Sequence, residues 1–146
     1  MNPSTGQNPG GHRLHHVGFV VRSIDKVVKR YADTLGLVWD GKVFHDPIQT
    51  VRVTFLYHPG SEQTQPALEL VEPESDESRV AKFLKKGGGM HHLCYEVESL
   101  DGWVAHIEAI GGLVVQTPVP AVAFDGRKIA WVYTREMLLV EYLQRG

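Results

Sequence analysis

Short runs of alternating hydrophobic and polar residues occur along the whole chain, and each is typical of a β-strand with one buried face. In the first half, these runs cover about 15–21, 37–45, 50–58 and 67–73. In the second half, they cover about 91–97, 113–117, 127–134 and 138–144. Between the first two runs of each half, apolar residues recur at helical spacing: Ile24, Val27, Val28, Tyr31 and Leu35, then Leu100, Trp103, Val104, Ile107 and Ile110. Each half is therefore predicted to have the order β-α-β-β-β.

The two halves are also related in sequence. The 24 residues from His15 and the 24 residues from His91, at an offset of 76, share nine identities, and both segments open with a histidine pair. The second half then has a loop four residues shorter, which aligns Glu69 with Glu141. An internal repeat of this kind predicts two related modules. Each module contributes a histidine near its start and a glutamate near its end.

Polar and glycine-rich segments suggest where the modules begin and end. We predict a disordered N-terminal tail at 1–12, a first βαβββ module at 13–75, a linker helix at 76–89 and a second βαβββ module at 90–146. The linker helix is inferred from Val80, Phe83 and Leu84, which three glycines follow. The predicted fold class is α+β, with the two paired modules forming a cleft.

Four side chains in matched positions of the repeat predict a metal site. Because side chains alternate along a strand, His16 and His92 should face away from the helices, as should Glu69 and Glu141. Two carboxylates on otherwise apolar strands are costly to bury unpaired, and a divalent cation held by two imidazoles and two carboxylates removes that cost. Such ligands suit Zn²⁺, Co²⁺, Ni²⁺, Mn²⁺ or Fe²⁺. The alternative is that the histidines are ordinary half-buried residues and the glutamates lie on exposed faces.

The same alternation predicts that His15 and His91 face away from the metal, as structural or supporting residues. Cys94 lies on the face of His92, where a small buried thiol is expected.

Composition narrows the classes of partner. With 146 residues, of which 42% are hydrophobic and 22% charged, the chain suits one globular unit. A net charge of −2 does not favour nucleic acid or an anionic membrane. No apolar run approaches the roughly 20 residues that span a bilayer, and the segment MNPSTGQNPGG has no signal-peptide features. Together with the single cysteine, Cys94, these features predict a cytoplasmic protein with no nucleic-acid or membrane partner.

Several segments give the chain a family resemblance: LHHVGF, LELVEPESDESRVAKFLKKGGGMHHLCYEV, RKIAWV and LLVEYL. They resemble the vicinal oxygen chelate superfamily, which includes glyoxalases, dioxygenases and bleomycin resistance proteins, and most of all its methylmalonyl-CoA epimerases. The resemblance covers roughly residues 13–145 and implies a glyoxalase-like pair of βαβββ modules around a metal-binding cleft. The metal positions of the family fall on His16, Glu69, His92 and Glu141, although glutamine is common in epimerases where this chain has Glu69.

One departure from the epimerases concerns proton transfer. The family's second acid/base glutamate corresponds to Ile48 in the segment HDPIQTV. His45 or Asp46 from the same loop could replace it, and we expect substrate contacts from His45, Asp46 and Gln49. Glu141, as a ligand that could also move a proton, is the predicted catalytic residue.

The resemblance implies a metal-dependent isomerase or lyase that enolises the α-carbon of an acyl-thioester or ketone. The expected partner is a small-molecule substrate, possible forms being an acyl-CoA or a carrier-protein thioester, and a homodimer is expected. The alternatives are glyoxalase I, which acts on a glutathione-derived substrate, and a ligand-sequestering resistance or binding protein. A dioxygenase fits less well, because its metal set has two histidines and one glutamate.

Overall fold

The computed structural model describes residues 11–60 and 64–146, in which one nine-stranded sheet is accompanied by three α-helices. The elements follow one another as β1 (Arg13–Val20), α1 (Ile24–Leu35), β2 (Val38–Trp39), β3 (Phe44–Asp46), β4 (Val51–Tyr57), β5 (Ala67–Pro73), α2 (Ala81–Lys85), β6 (Gly89–Val97), α3 (Leu100–Ala109), β7 (Leu113–Pro120), β8 (Lys128–Tyr133) and β9 (Leu139–Gln144). A short 3₁₀ turn, Val122–Phe124, precedes β8. The predicted α+β class is confirmed.

The order of the strands is symmetric about the centre of the sheet. The sequence of neighbours is β2-β4-β5-β1-β6-β9-β8-β7, and the short β3 pairs with β4 outside this path. Strands β1 and β5 are parallel, as are β6 and β9, whereas the central pair of β1 and β6 is antiparallel. The two halves of the chain therefore meet through their first strands.

The helices begin as their sequences suggest. Ser23 and Ser99 are the N-caps of α1 and α3, and each side chain accepts a hydrogen bond from an N–H of the first turn. The sheet adds a second acceptor in each half, because Glu72 accepts from the N–H of Ile24 at 2.7 Å and Gln144 accepts from that of Leu100 at 2.8 Å. These contacts fix the start of each helix against the last strand of its own half.

The predicted strand at 37–45 is two short strands, β2 and β3. Asp40 accepts a hydrogen bond from the N–H of Lys42, and Gly41 between them has a φ of 82°. This turn chemistry interrupts the strand. The predicted linker helix at 76–89 contains the five-residue helix α2, which is followed by three glycines with positive φ.

The two faces of the sheet carry separate cores. On one face, α1 packs its Ile24 and Val28 on Leu56 and Leu70, and α3 packs Val104 near Ala130. The other face is lined by a larger cluster that includes Val53, Phe55, Val71, Phe124 and Ile129. Side chains that alternate away from the helices therefore enter an apolar cleft.

Most of the predicted N-terminal tail, residues 1–10, lies outside the described residues. Its last residue, His12, lies edge-on to Trp103 with ring centroids 4.2 Å apart. No helix in the described parts of the chain is long and apolar enough to cross a membrane.

Candidate functional site

The four predicted ligands lie on four adjacent strands at the centre of the sheet. His16 is on β1, Glu69 on β5, His92 on β6 and Glu141 on β9. Within the apolar cleft, these side chains form a cluster whose ligand atoms all lie within 4.8 Å of one another. The alternation of the strands therefore brings together all four residues that the repeat selected.

Five of the six distances between the ligand atoms lie between 3.1 and 3.5 Å. The Nε2 atoms of His16 and His92 lie 3.3 Å apart. Glu69 Oε1 lies 3.3 Å from the first of these nitrogens and 3.1 Å from the second, and Glu141 Oε1 lies 3.1 and 3.5 Å from them. Ligands about 2.0–2.2 Å from a common tetrahedral centre would have edges of roughly 3.3–3.6 Å. The spacing thus suits a single small cation between the four atoms.

All four side chains are withdrawn from solvent, with exposed fractions between 0 and 6%. Burial disfavours a charged ring at His16 and His92, but their neighbours outweigh it and raise the pKa of both histidines. These neighbours are the Cys94 side chain and the two carboxylates for His16, and the two carboxylates for His92. The same pairing overcomes desolvation of the carboxyls and lowers the pKa of Glu69 and Glu141. Two positive charges thus balance two carboxylates, either as two protons on the rings or as one divalent ion.

Beside this cluster, Cys94 is fully buried. Burial raises the pKa of its thiol to about 12, so Cys94 is uncharged near neutral pH.

His15 and His91 do not follow the alternation expected of them. In the ladder between β1 and β6, the register skips His15 between Leu14 and His16, and it skips His91 on the other strand. Each is the extra residue of a β-bulge, which re-aims a side chain. Consequently, Nδ1 of His15 lies 2.8 Å from Nδ1 of His16, and the same distance separates the Nδ1 atoms of His91 and His92. The prediction that these two rings face away from the metal ligands was wrong.

Burial and the neighbouring ligand histidines lower the pKa of His15 and His91 to about 4, so both rings are neutral at pH 7. Each neutral ring can offer one nitrogen as a hydrogen-bond acceptor.

Gly18 makes room for one of the ligand rings. It lies opposite His92 in the ladder, and a Cβ added to it would stand 2.1 Å from Cε1 of that imidazole. The equivalent position of the second half is Cys94, opposite His16. A small side chain at this position therefore accompanies each ligand histidine.

A cavity of about 250 Å³ opens onto the cluster and includes Glu69, His92 and Glu141 in its wall. The wall also contains Arg79, the only arginine or lysine among its described residues, whose guanidinium donates to the amide oxygen of Gln116. Apolar residues of both halves, such as Val53 and Ile129, complete it. The cluster is thus reachable by a small molecule despite its burial.

Two buried N–H donors in this wall have no hydrogen-bond partner among the described residues. They are Nε2 of Gln49 and Nε1 of Trp131. Buried donors of this kind are normally satisfied, which makes these two side chains candidates for contact with a ligand. Trp131 was not among the sequence candidates, because a tryptophan in an apolar strand has no feature that distinguishes it from a core residue.

The structure separates the loop residues that were expected to contact substrate. Asp46 and Gln49 lie in the cavity wall, and both are buried. The imidazole of His45 is 55% exposed and pairs with Glu74 at 2.7 Å, away from the described wall. Ile48 is 42% exposed and is likewise absent from that wall. Of the two residues considered as a second acid, only Asp46 therefore faces the cavity.

Comparison with known proteins agrees with this fold and site. A model of the Glyoxalase/Bleomycin resistance protein/Dioxygenase superfamily matches residues 15–131, and the chain belongs to this superfamily. Its relatives include an ethylmalonyl-CoA/methylmalonyl-CoA epimerase from Cereibacter sphaeroides, 29% identical over 126 residues, which cover 85% of this chain and 90% of that protein.

Solved structures give the same result. Methylmalonyl-CoA epimerase from Mycobacterium tuberculosis aligns with a TM-score of 0.79 and 26% identity over 91% of this chain and 87% of its own. A single-residue variant of the Streptomyces coelicolor methylmalonyl-CoA epimerase in complex with 2-nitronate-propionyl-CoA aligns with a TM-score of 0.78 and 26% identity, covering 92% of this chain and 94% of that one. The structural neighbours therefore include enzymes of this epimerase type.

Proposed function

We propose that this protein is a metal-dependent epimerase that acts on the α-carbon of an acyl-CoA thioester similar to methylmalonyl-CoA. The observation that carries the proposal is the buried cluster of two histidines and two glutamates, which opens into a cavity whose wall includes Gln49 and Trp131. The names of its relatives supply the class of substrate. A homodimer and a cytoplasmic location stay predictions.

His16, Glu69, His92 and Glu141 would hold the divalent ion. When bound, the ion would supply positive charge beside the thioester oxygen, which stabilises the oxyanion that develops as the α-proton leaves. Glu141 is the candidate base, because its side chain reaches the cavity wall beside the other three candidate ligands. A carboxylate placed beside the α-carbon can remove the proton and return it.

Epimerisation also requires a proton donor on the opposite face of the α-carbon. Asp46 is our candidate, because its buried carboxyl lies in the cavity wall. One of its oxygens, Oδ1, accepts hydrogen bonds from the N–H groups of Ile48 and Gln49 and so fixes the orientation of the group. The amide of Gln49 and the indole N–H of Trp131 would donate to substrate oxygens and orient the reacting carbon.

The test is exchange of the α-proton of methylmalonyl-CoA in D₂O with protein loaded with Co²⁺ or Zn²⁺. We expect metal-dependent exchange, and Glu141→Gln should lower its rate by about 10²–10⁴-fold, the usual contribution of a general base. Glu74→Gln is the matched control, since Glu74 pairs with His45 at the surface and is outside the described cavity wall. It should leave the rate unchanged.

Asp46→Asn separates the two proton transfers. Asparagine keeps the oxygen that accepts from Ile48 and Gln49 but cannot deliver the second proton. Exchange of the α-proton should therefore persist while inversion of the centre slows.

Exchange unaffected by Glu141→Gln would refute the base assignment. No exchange at all, with metal bound, would refute the epimerase and favour glyoxalase chemistry on a glutathione adduct or plain ligand binding.

A further inference from the structure

The extra residue of each β-bulge in the central strand pair is a histidine that contacts a candidate metal ligand. His15 and His91 are in opposite strands and in different halves of the chain, yet their Nδ1 atoms make the same 2.8 Å contact, to His16 and His92 respectively. A strand without a bulge would send neighbouring side chains to opposite faces. The two bulges thus have one common result, a histidine-to-histidine hydrogen bond.

The direction of these bonds follows from the metal site. Nε2 of His16 and of His92 points at the glutamate oxygens, and an imidazole can bind a metal through Nε2 only if its proton is on Nδ1. That Nδ1–H must then donate, so Nδ1 of the neighbouring ring must accept. The neighbouring ring in turn has its own proton on Nε2. One arrangement of protons is consistent with both bonds and with metal binding.

We propose that His15 and His91 are positioning residues, which hold the rings of His16 and His92 in the orientation and the tautomer that bind the metal. This inference rests on the metal site of the proposed function but not on the reaction. Metal-binding histidines commonly donate their second N–H to a carboxylate, a carbonyl or a water. Here the acceptor is a neutral imidazole. It adds no negative charge to a cluster in which two carboxylates already balance a divalent ion.

Both positioning rings are themselves held by aromatic side chains. His15 lies edge-on to Phe124, with ring centroids 5.3 Å apart, and His91 lies edge-on to Phe83 at 4.8 Å. Both rings are also partly buried, which restricts their rotation further. The hydrogen bond to each ligand ring therefore has a fixed geometry.

Metal affinity measures the proposed role directly. Co²⁺ affinity would be determined by competition with a chelator, for the wild-type protein and for variants of each positioning residue. His15→Leu and His91→Leu keep a bulky side chain but remove the acceptor, and each should weaken Co²⁺ binding about 10–100-fold, the usual effect of losing such a partner. His15→Asn and His91→Asn place an amide oxygen near the Nδ1 position and should recover most of the lost affinity. The control is His106→Leu, whose ring packs on Trp103 away from the cluster.

A second readout needs no variant that might fold poorly. In Zn²⁺-loaded wild-type protein, ¹⁵N-edited spectra of the histidine rings should show His16 and His92 protonated at Nδ1, and His15 and His91 protonated at Nε2. The opposite assignment, or Leu variants that bind Co²⁺ as tightly as the wild type, would overturn the positioning role alone. Wild-type protein that binds no divalent ion would overturn the metal site. Metal binding without proton exchange would overturn only the proposed reaction.

Discussion

Gly18 and the ring of His92 face each other across the central strand pair so closely that any side chain at residue 18 would meet the imidazole. A Cβ there would lie 2.1 Å from Cε1 and 2.6 Å from each ring nitrogen. The ring is also enclosed by Trp131, whose centroid is 4.7 Å away. With neighbours on both sides, His92 has little room to move aside. The size of residue 18 therefore controls the position of a candidate ligand.

Gly18→Ala should consequently displace His92. We expect a loss of about 1–3 kcal/mol in the free energy of unfolding, as for other overpacked cores, together with a marked loss of Co²⁺ affinity. Urea unfolding and chelator competition would measure the two effects. Gly102→Ala adds the same methyl group on α3, where it would lie 3.1 Å from the N-cap oxygen of Ser99 and far from the cluster, and it should leave Co²⁺ affinity unchanged. Unchanged metal affinity in Gly18→Ala would show that the His92 ring is not confined.

The stability of the metal-free protein should depend on pH through His15 and His91. Burial and the neighbouring ligand histidines lower their pKa to about 4 from 6.5. Between these values, the unfolded chain binds protons that the folded chain does not, so stability falls as pH falls, by up to roughly 1.4 kcal/mol per pH unit for each residue. His16 and His92 have raised pKa values and oppose this trend near pH 6.5, where the unfolded chain protonates their rings only in part. Well below pH 6.5 they are protonated in both states and no longer contribute to the slope.

Urea unfolding with a chelator present, at pH 6.5 and at pH 5, would measure this slope. The double variant His15→Asn, His91→Asn has no ring to protonate at these positions and should show a flatter dependence. Equal slopes for the variant and the wild type would contradict the assignment.

At the scale of elements, the sequence predicts most strands and both long helices, because period-two and helical patterns reflect which face of each element is buried. Strand β5 was predicted with the bounds it has, 67–73. Strand β4 differs from its prediction by one residue at each end, and β9 by one residue at its start. The four clustered side chains followed from the same alternation combined with the repeat. Local patterns were thus sufficient wherever an element is regular.

The same hydrophobic patterns did not predict the irregular elements. A β-bulge depends on how two strands pair, so nothing in the order of residues around His15 or His91 indicates that the alternation changes there. Asp40 and Gly41 form the turn between β2 and β3, and such a pair in the sequence indicates a break. The prediction of one continuous strand at 37–45 did not take this pair into account. The inclusion of Trp131 in the cavity wall depends on the curvature of the whole sheet, which no single segment specifies.

At the scale of the whole molecule, a bound ion would join the two halves, since each half provides one histidine and one glutamate. Metal at 100 times its dissociation constant should raise the free energy of unfolding by about 2.7 kcal/mol, provided that the unfolded chain does not bind it. Thermal or urea unfolding with and without Co²⁺ would show the shift, and a chelator should reverse it. His92→Ala should not respond to Co²⁺. A similar shift in that variant would mean that the ion binds elsewhere.

The symmetric strand order has a consequence for how such a chain could arise. Strands β1 and β5 of the first half carry His16 and Glu69, and their counterparts β6 and β9 carry His92 and Glu141. The two halves meet through the antiparallel pair of β1 and β6. Two separate copies of one half, paired edge to edge through their first strands, would bring the same two histidines and two glutamates to one point. Duplication and fusion of a half-length gene would then convert an interface between two subunits into the interior of a single chain. After such a fusion, the two copies could diverge independently, which would account for Gly18 in one half and Cys94 at the equivalent position of the other.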